Sequence, residues 1–94
     1  MTVAAAARVT QKSLNAVRVL YFAAVREKIG LGEETIELTP SLMTLGALRA
    51  HLALRYGILA EPAIKGAVNQ ELAQPGTAIA AGDEIAFFPP TTGG

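Results

Sequence analysis

Two short segments near the start of the chain have the hydrophobic pattern of β-strands. Residues 17–23 (VRVLYFA) are rich in β-branched and aromatic side chains and contain one charge, as expected of a β-strand. Residues 35–39 (TIELT) alternate polar and apolar positions and end before Pro40, which suits a half-buried strand. Between them, residues 25–29 predict a brief helical turn that the following glycines close. We therefore expect the two strands to form an antiparallel hairpin.

The next segment has the spacing of a helix with one apolar face. Its large apolar residues are three, four and four positions apart: Leu45, Leu48, Leu52 and Tyr56. On a helix they fall within an arc of roughly 80°, which predicts a face that packs against the core. Thr44 is the expected N-cap, and Gly57 is the expected C-terminal stop. Gly46 is unusual, because a better helix former is expected early in a helix.

Short elements complete the chain. Residues 66–68 predict a strand, Asn69 and Gln70 a tight turn, residues 71–72 a short return strand, and residues 85–88 the last strand. One main helix serves the whole sheet. This order predicts an α+β protein with the β-grasp, or ubiquitin-like, fold: a mixed sheet of four to five strands on one main helix, with a short second helix.

Large apolar side chains point to both faces of the predicted sheet. In the first strand Leu20 and Phe22 lie opposite the face of Val17, Val19 and Tyr21, and in the last strand Ala86 and Phe88 lie opposite Ile85 and Phe87. One helix covers only one face. One possibility is that loops cover the second apolar face or that a bulge breaks the alternation. The other is that this face is an exposed patch that binds a partner, with Phe22 and Phe88 as its main residues.

The amino-acid composition excludes several classes of partner and of metal site. Eight basic and eight acidic residues give a net charge of zero and a pI near 6.6, which argues against nucleic acid or an anionic membrane as partner. Without cysteine, disulfides and thiolate metal sites are excluded, and the lone His51 cannot form a multi-histidine site. No apolar run reaches the roughly 20 residues of a membrane span. We expect a cytoplasmic domain that binds no metal.

The two ends differ from the middle of the chain. Residues 1–15 contain Arg8 and Lys12 but no acidic residue, whereas residues 16–94 contain six basic and eight acidic residues. We interpret residues 1–15 as a disordered extension, with an organelle transit peptide as the alternative, residues 16–88 as the domain, and residues 89–94 as a flexible tail.

The C-terminal residues suggest a carrier. They are Pro89, Pro90, Thr91, Thr92, Gly93 and Gly94. Diproline favours an extended exit from the last strand, and glycine without a Cβ can enter a narrow tunnel. Six residues reach about 20 Å. The tail is thus suited to presenting its terminal carboxylate to active sites on other proteins; a cloning scar or a truncated linker is the alternative.

Three stretches resemble a known family. Residues 19–27 (VLYFAAVRE), 67–70 (AVNQ) and 82–94 (GDEIAFFPPTTGG) are similar to the small subunits of molybdopterin synthases, in the MoaD/ThiS group of sulfur carriers. The resemblance covers about residues 17–94, and the ending FFPPxxGG is its most specific part. The N-terminal extension and Gly46 depart from the family pattern.

The resemblance implies a function centred on Gly94. An adenylyltransferase resembling ubiquitin-activating enzymes would adenylate the Gly94 carboxylate with ATP and Mg²⁺, and a persulfide donor would convert it to a thiocarboxylate. The ATP and Mg²⁺ would be used by the activating partner, and this chain alone would bind no cofactor. The large catalytic subunit, in a heterotetramer, would receive the tail and deliver sulfur to cyclic pyranopterin monophosphate to build the dithiolene of molybdopterin. This chain would donate sulfur without an active site of its own. Phe22, Arg26 and Phe88 match family positions at the partner interface.

Other functions stay open at this point. The same Gly94 chemistry serves sulfur carriers for thiazole or tRNA thiolation, and a ubiquitin-like modifier would form isopeptide bonds through Gly94. A non-covalent interaction domain with an incidental diglycine is a further alternative. Asp83 and Glu84 are expected in a turn rather than as a catalytic pair, and a structural or surface role is expected for His51.

Overall fold

Five strands and two α-helices make up the part of the chain that the structure, a computed structural model, describes, residues 15–90. In chain order they are β1 (Ala16–Tyr21), α1 (Ala23–Ile29), β2 (Glu33–Glu37), α2 (Leu45–Ala53), β3 (Lys65–Val68), β4 (Glu71–Leu72) and β5 (Glu84–Phe88). Two 3₁₀-helices, Pro40–Leu42 and Gly57–Ala60, flank α2. The predicted extension, apart from Asn15, and tail residues Thr91–Gly94 lie outside the described residues.

The strands form one mixed sheet in the order β2-β1-β5-β3-β4. The central β1–β5 pair is parallel, and the other three pairs are antiparallel, including the expected β1–β2 hairpin. The predicted α+β class, the β-grasp arrangement and the mixed sheet with one main helix and a shorter second helix are confirmed. The predicted turn at Asn69 and Gln70 is also confirmed. Both have positive φ, +51° and +71°, as a two-residue hairpin turn of the I′ type requires.

The core lies between one face of the sheet and α2. Large side chains that are less than 2% exposed come from the strands, both α-helices and the 3₁₀-helix Gly57–Ala60: Val17, Val19, Tyr21, Val25, Leu48, Leu52, Leu59, Ile85 and Phe87. Three of the four residues in the predicted helix stripe, Leu45, Leu48 and Leu52, are therefore core residues of α2. No helix within residues 15–90 combines the length and apolarity needed to cross a bilayer.

The main helix begins as predicted and ends earlier. Thr44 is its N-cap, with Oγ1 accepting a 3.1 Å hydrogen bond from the Ala47 amide. The helix ends at Ala53, so Gly57 is not its stop and instead begins a 3₁₀-helix. Tyr56 lies beyond the helix in extended backbone, where its ring packs edge-on against Tyr21 at a centroid distance of 5.8 Å. Position 56 therefore carries an aromatic residue because its ring packs on the core, and not because it continues the apolar face of α2.

A close backbone approach explains Gly46. Its amide donates a 2.8 Å hydrogen bond to the Pro75 carbonyl, and a Cβ at this position would lie 3.0 Å from both Cβ and O of Pro75. The loop before Ile79 therefore packs against the first turn of α2 at a distance that only glycine allows without displacement.

Candidate functional site

The sheet face opposite α2, here called the open face, has an apolar centre. Its register pairs four apolar residues side by side across four strands, in the order Leu20, Ala86, Ala67 and Leu72. Ala67 is buried, Leu20 and Ala86 are half-buried, and Leu72 is 68% exposed. The β1–β5 register runs without interruption, so no bulge breaks the alternation between the two faces in this pair.

Phe22 and Phe88 extend this centre at one end of the sheet. The Phe22 amide donates a 3.1 Å hydrogen bond to the Phe87 carbonyl, which continues the parallel pairing one residue beyond β1 and places Phe22 beside Phe88. Phe22 is 47% exposed and Phe88 is half-buried, whereas Tyr21 and Phe87 on the other face are buried. The predicted alternation thus directs these two rings away from the core.

Arg26 lies beside Phe22. Its exposed side chain on α1 extends over Gly32, where a Cβ would lie 3.4 Å from Nε of Arg26. Phe22, Arg26 and Leu31 line one shallow depression of about 560 Å³ that continues onto Leu20. The structure therefore brings Phe22 and Arg26 together, and the β1–β5 pairing joins Phe88 to them.

Charged residues border the apolar centre. The Arg18 guanidinium lies 4.0 Å from a carboxylate oxygen of Glu33 and 3.8 Å from one of Glu84, and all three side chains are substantially accessible to solvent. Ion pairs of this length and exposure contribute little stability. Lys65 pairs with Phe88 across β3 and β5. An apolar centre with a charged rim is the usual composition of a protein-binding surface.

The C-terminal tail follows directly after β5, the strand that contributes Phe88 to the open face. Phe88 is the last residue of β5, Pro89 is half-buried and Pro90 is exposed. Neither proline has an amide proton to continue the ladder. The predicted tail residues Thr91, Thr92, Gly93 and Gly94 lie outside the described part of the chain, so their role stays a prediction.

Two further titratable residues, Asp83 and His51, lie outside the open face. The Asp83 carboxylate accepts hydrogen bonds from the Ala80 amide at 2.8 Å and from Nδ2 of Asn69 at 3.0 Å, which holds the turn before β5. His51 is exposed on α2, away from the open face. The Asp83 contacts agree with the turn expected for it, whereas Glu84, expected in the same turn, is the first residue of β5. The exposure of His51 agrees with the structural or surface role expected for it.

Sequence reasoning missed two residues of this surface. Leu72 lies at its β4 edge, and Leu31, 38% exposed, lies in the depression beside Arg26. The parity of the return strand was a usable signal for Leu72, because it pairs with Ala67. No periodic signal marks Leu31, which lies between two glycines in a loop.

Fold and surface together define a ubiquitin-like β-grasp domain whose last strand continues from an open apolar face into the tail. The profile of the ThiS family matches residues 19–94, and the chain belongs to this family. The matched span contains every residue of the predicted site and begins after the N-terminal extension.

Individual relatives agree with this assignment. The molybdopterin synthase sulfur carrier subunit of Haemophilus influenzae is 44% identical over 82 residues, covering 83% of this chain and 99% of the relative. The crystal structure of small archaeal modifier protein 1 of Haloferax volcanii matches with a TM-score of 0.70 at 26% identity, over 82% of this chain and 99% of that one. A chain in the protein–protein complex of subunits 1 and 2 of the molybdopterin-converting factor of Helicobacter pylori matches with a TM-score of 0.61 at 27% identity, over 84% of this chain and 99% of that one.

Proposed function

We propose that this chain is the sulfur carrier subunit of a molybdopterin synthase. The observation that carries the proposal is the continuity of β5: the strand that supplies Phe88 to the open face runs directly into Pro89, Pro90 and the diglycine end. A partner that docks on this face therefore receives the tail at a defined position. The similarity to sulfur carrier subunits over nearly their whole length supports this reading.

The chemistry takes place at the carboxylate of Gly94. A carboxylate is a poor acyl donor, so an activating enzyme first joins it to AMP from ATP and Mg²⁺, with pyrophosphate leaving. A persulfide sulfur then attacks the acyl carbon, AMP leaves, and reduction of the resulting acyl disulfide by a thiol leaves a thiocarboxylate. Its sulfur adds to cyclic pyranopterin monophosphate, and water releases the carboxylate for another cycle. Two such transfers make the dithiolene.

The open face is the docking surface in this proposal. Phe22 and Phe88 provide aromatic anchors of the kind that dominate protein interfaces, and Arg26 provides a cation beside them. The large subunit and the adenylyltransferase would bind this face in turn, because both need the tail that follows Phe88 in the sequence. The complex of subunits 1 and 2 in Helicobacter pylori supports a large-subunit partner, and we expect a heterotetramer in the cytoplasm. In this proposal the residues that form the active site belong to the large subunit.

Intact mass spectrometry tests the carrier chemistry. The purified chain is incubated with its activating enzyme, ATP and a sulfide source, and we expect the mass gain of one sulfur replacing one oxygen. A variant with one alanine added after Gly94 should gain nothing, since its carboxylate is displaced. No gain in the unmodified chain, with an enzyme shown to hydrolyse ATP on it, would refute the proposal.

The acceptor distinguishes the remaining alternatives. Adding the large subunit and the pterin precursor should consume the thiocarboxylate if this pathway is correct, whereas carriers for thiazole or tRNA thiolation would keep it. The likeness to small archaeal modifier protein 1 supports a second candidate, a protein modifier. In that case cell extract with ATP would produce lysine-linked conjugates of Gly94.

A further inference from the structure

An apolar groove of about 500 Å³ lies on the helix-covered side of the molecule, away from the open face. It runs between α2, the 3₁₀-helix Gly57–Ala60 and the segment that follows β4. Its lining consists mostly of small or apolar side chains, among them Leu45, Ala50, Ala53, Ala60, Pro62 and Ala73. Such a surface favours an apolar occupant with small side chains.

Among the described residues that line the groove, Arg49 alone is charged, and its guanidinium is hydrogen-bonded to the groove wall. Nε of Arg49 donates a 2.6 Å hydrogen bond to the Leu59 carbonyl, and Nη2 donates to the Glu61 carbonyl. Burial lowers the pKa of this guanidinium from its ordinary value. Because backbone carbonyls already accept from Arg49, an occupant of the groove does not need an acidic group.

The N-terminal extension has the matching composition. Residues 3–7 read VAAAA, and Arg8 follows directly. Two acidic residues lie next to groove-lining residues in the sequence: Glu61 precedes Pro62, and Glu71 lies two residues before Ala73. Glu61 also lines a separate depression, which it shares with Lys28 and Arg55. Across the described residues, neither carboxylate takes part in an ion pair. The small apolar side chains of residues 3–7 therefore match the small apolar lining of the groove, and acidic residues adjacent to the lining in sequence are available to Arg8.

The extension is long enough to reach the groove. The Ala16 carbonyl accepts a 2.8 Å hydrogen bond from the Gly82 amide, and residues 76–81 connect Gly82 to Pro75 at the groove edge. That connection spans at most about 25 Å, and residues 8–14 span about the same distance when extended. The length of residues 8–14 is therefore sufficient to bring residues 3–7 to the groove while β1 stays paired.

We propose that residues 3–7 occupy this groove in the same molecule. Because the segment is tethered, an intrinsic affinity in the millimolar range suffices for substantial occupancy. The docked segment covers the groove and leaves the open face and the tail accessible. The extension lies outside the span shared with the family, so this contact is a property of this chain rather than of the carrier chemistry.

Paramagnetic relaxation in the full chain tests the proposal. The chain has no cysteine, so Thr2→Cys carries a spin label at a single site, next to the segment and far from Asn15. We expect loss of amide peak intensity at Ala50, Ala53 and Ala73, and none at Leu20 or Ala86 on the open face. Uniform or absent loss, or loss confined to the open face, would overturn the proposal.

Matched variants separate docking from proximity. Ala50→Lys should abolish the intensity loss at Ala53 and Ala73, whereas His51→Lys should preserve it, because both positions are exposed on α2 but only Ala50 lines the groove. Ala6→Asp should likewise abolish it and Thr10→Asp preserve it, without any change inside the fold. Spin-labelled chain mixed with isotope-labelled chain should show no loss; a loss there would assign the groove to a second copy instead.

Discussion

The hydroxyl of Tyr21 donates a 2.7 Å hydrogen bond to Oε2 of Glu34, which joins a buried ring on β1 to the neighbouring strand β2. The ring stacks on Phe87 and meets Tyr56 edge-on, so the aromatic part of Tyr21 is packed while its polar end has a partner. The Arg55 guanidinium lies 3.7 Å from the other carboxylate oxygen of Glu34. Burial first, and then the Glu34 carboxylate, raise the pKa of Tyr21 above its ordinary value of 10.0.

This relationship predicts a loss of stability in alkali. Above about pH 10 the unfolded chain releases the Tyr21 proton while the folded chain keeps it, so the unfolded state binds fewer protons and the free energy of unfolding falls as pH rises. The contribution of the Tyr21 proton to the free energy of unfolding is fully present below about pH 10, and above that pH it declines by up to about 1.4 kcal/mol per pH unit. Denaturant unfolding at a series of pH values on both sides of 10 measures the slope. Tyr21→Phe should remove this part of it, and an unchanged slope in that variant would contradict the assignment.

Phe22 should matter for binding more than for folding. With a ring 47% exposed, Phe22→Ala should leave the free energy of unfolding nearly unchanged. If the open face binds the large subunit, the same variant should weaken the complex by about 2 kcal/mol, or roughly 30-fold in Kd, measured by titration calorimetry. Leu54→Ala is the matched control, since Leu54 is 88% exposed but lies beyond α2, away from the open face. Equal effects of the two variants would speak against docking through Phe22.

Arg26 should act through charge. Arg26→Ala should slow association with the partner at low salt, and added salt should reduce the difference from the unmodified chain, because screening weakens an exposed charge. Lys28→Ala on the same helix is the control: it removes the same charge, but Lys28 does not line the depression with Phe22. Stopped-flow measurement of both variants distinguishes the two positions. Identical rates would reduce Arg26 to a general surface charge.

Gly46 and Gly57 should respond oppositely to alanine. Gly46→Ala gains about 1 kcal/mol of helix propensity, but its Cβ meets the Pro75 backbone at 3.0 Å, and overpacking of this kind costs about 1 to 3 kcal/mol. We expect a net loss of about 1 kcal/mol in denaturant unfolding. Gly57→Ala has no atom within 4 Å of its Cβ and should be neutral or stabilising by up to about 1 kcal/mol. A stabilised Gly46→Ala variant would show that the Pro75 loop yields.

Local patterns predicted the fold where geometry is local. The spacing of Leu45, Leu48 and Leu52 identified the core face of α2, and Thr44 identified its start, because both depend on helix geometry alone. The same reasoning was wrong at Gly57, since the end of α2 depends on the packing of Tyr56 against Tyr21. Gly46 looked like a poor helix residue until Pro75, distant in sequence, supplied its reason.

The candidate site divides in the same way. Strand alternation by itself determined that Phe22 and Phe88 point away from the core, because successive side chains of a strand take opposite faces. Only the tertiary structure decided that they are neighbours: the parallel pairing of β1 with β5 brings the two ends of the domain side by side. A residue's face follows from backbone periodicity, whereas its neighbours follow from strand order and register, which the burial of the whole core selects.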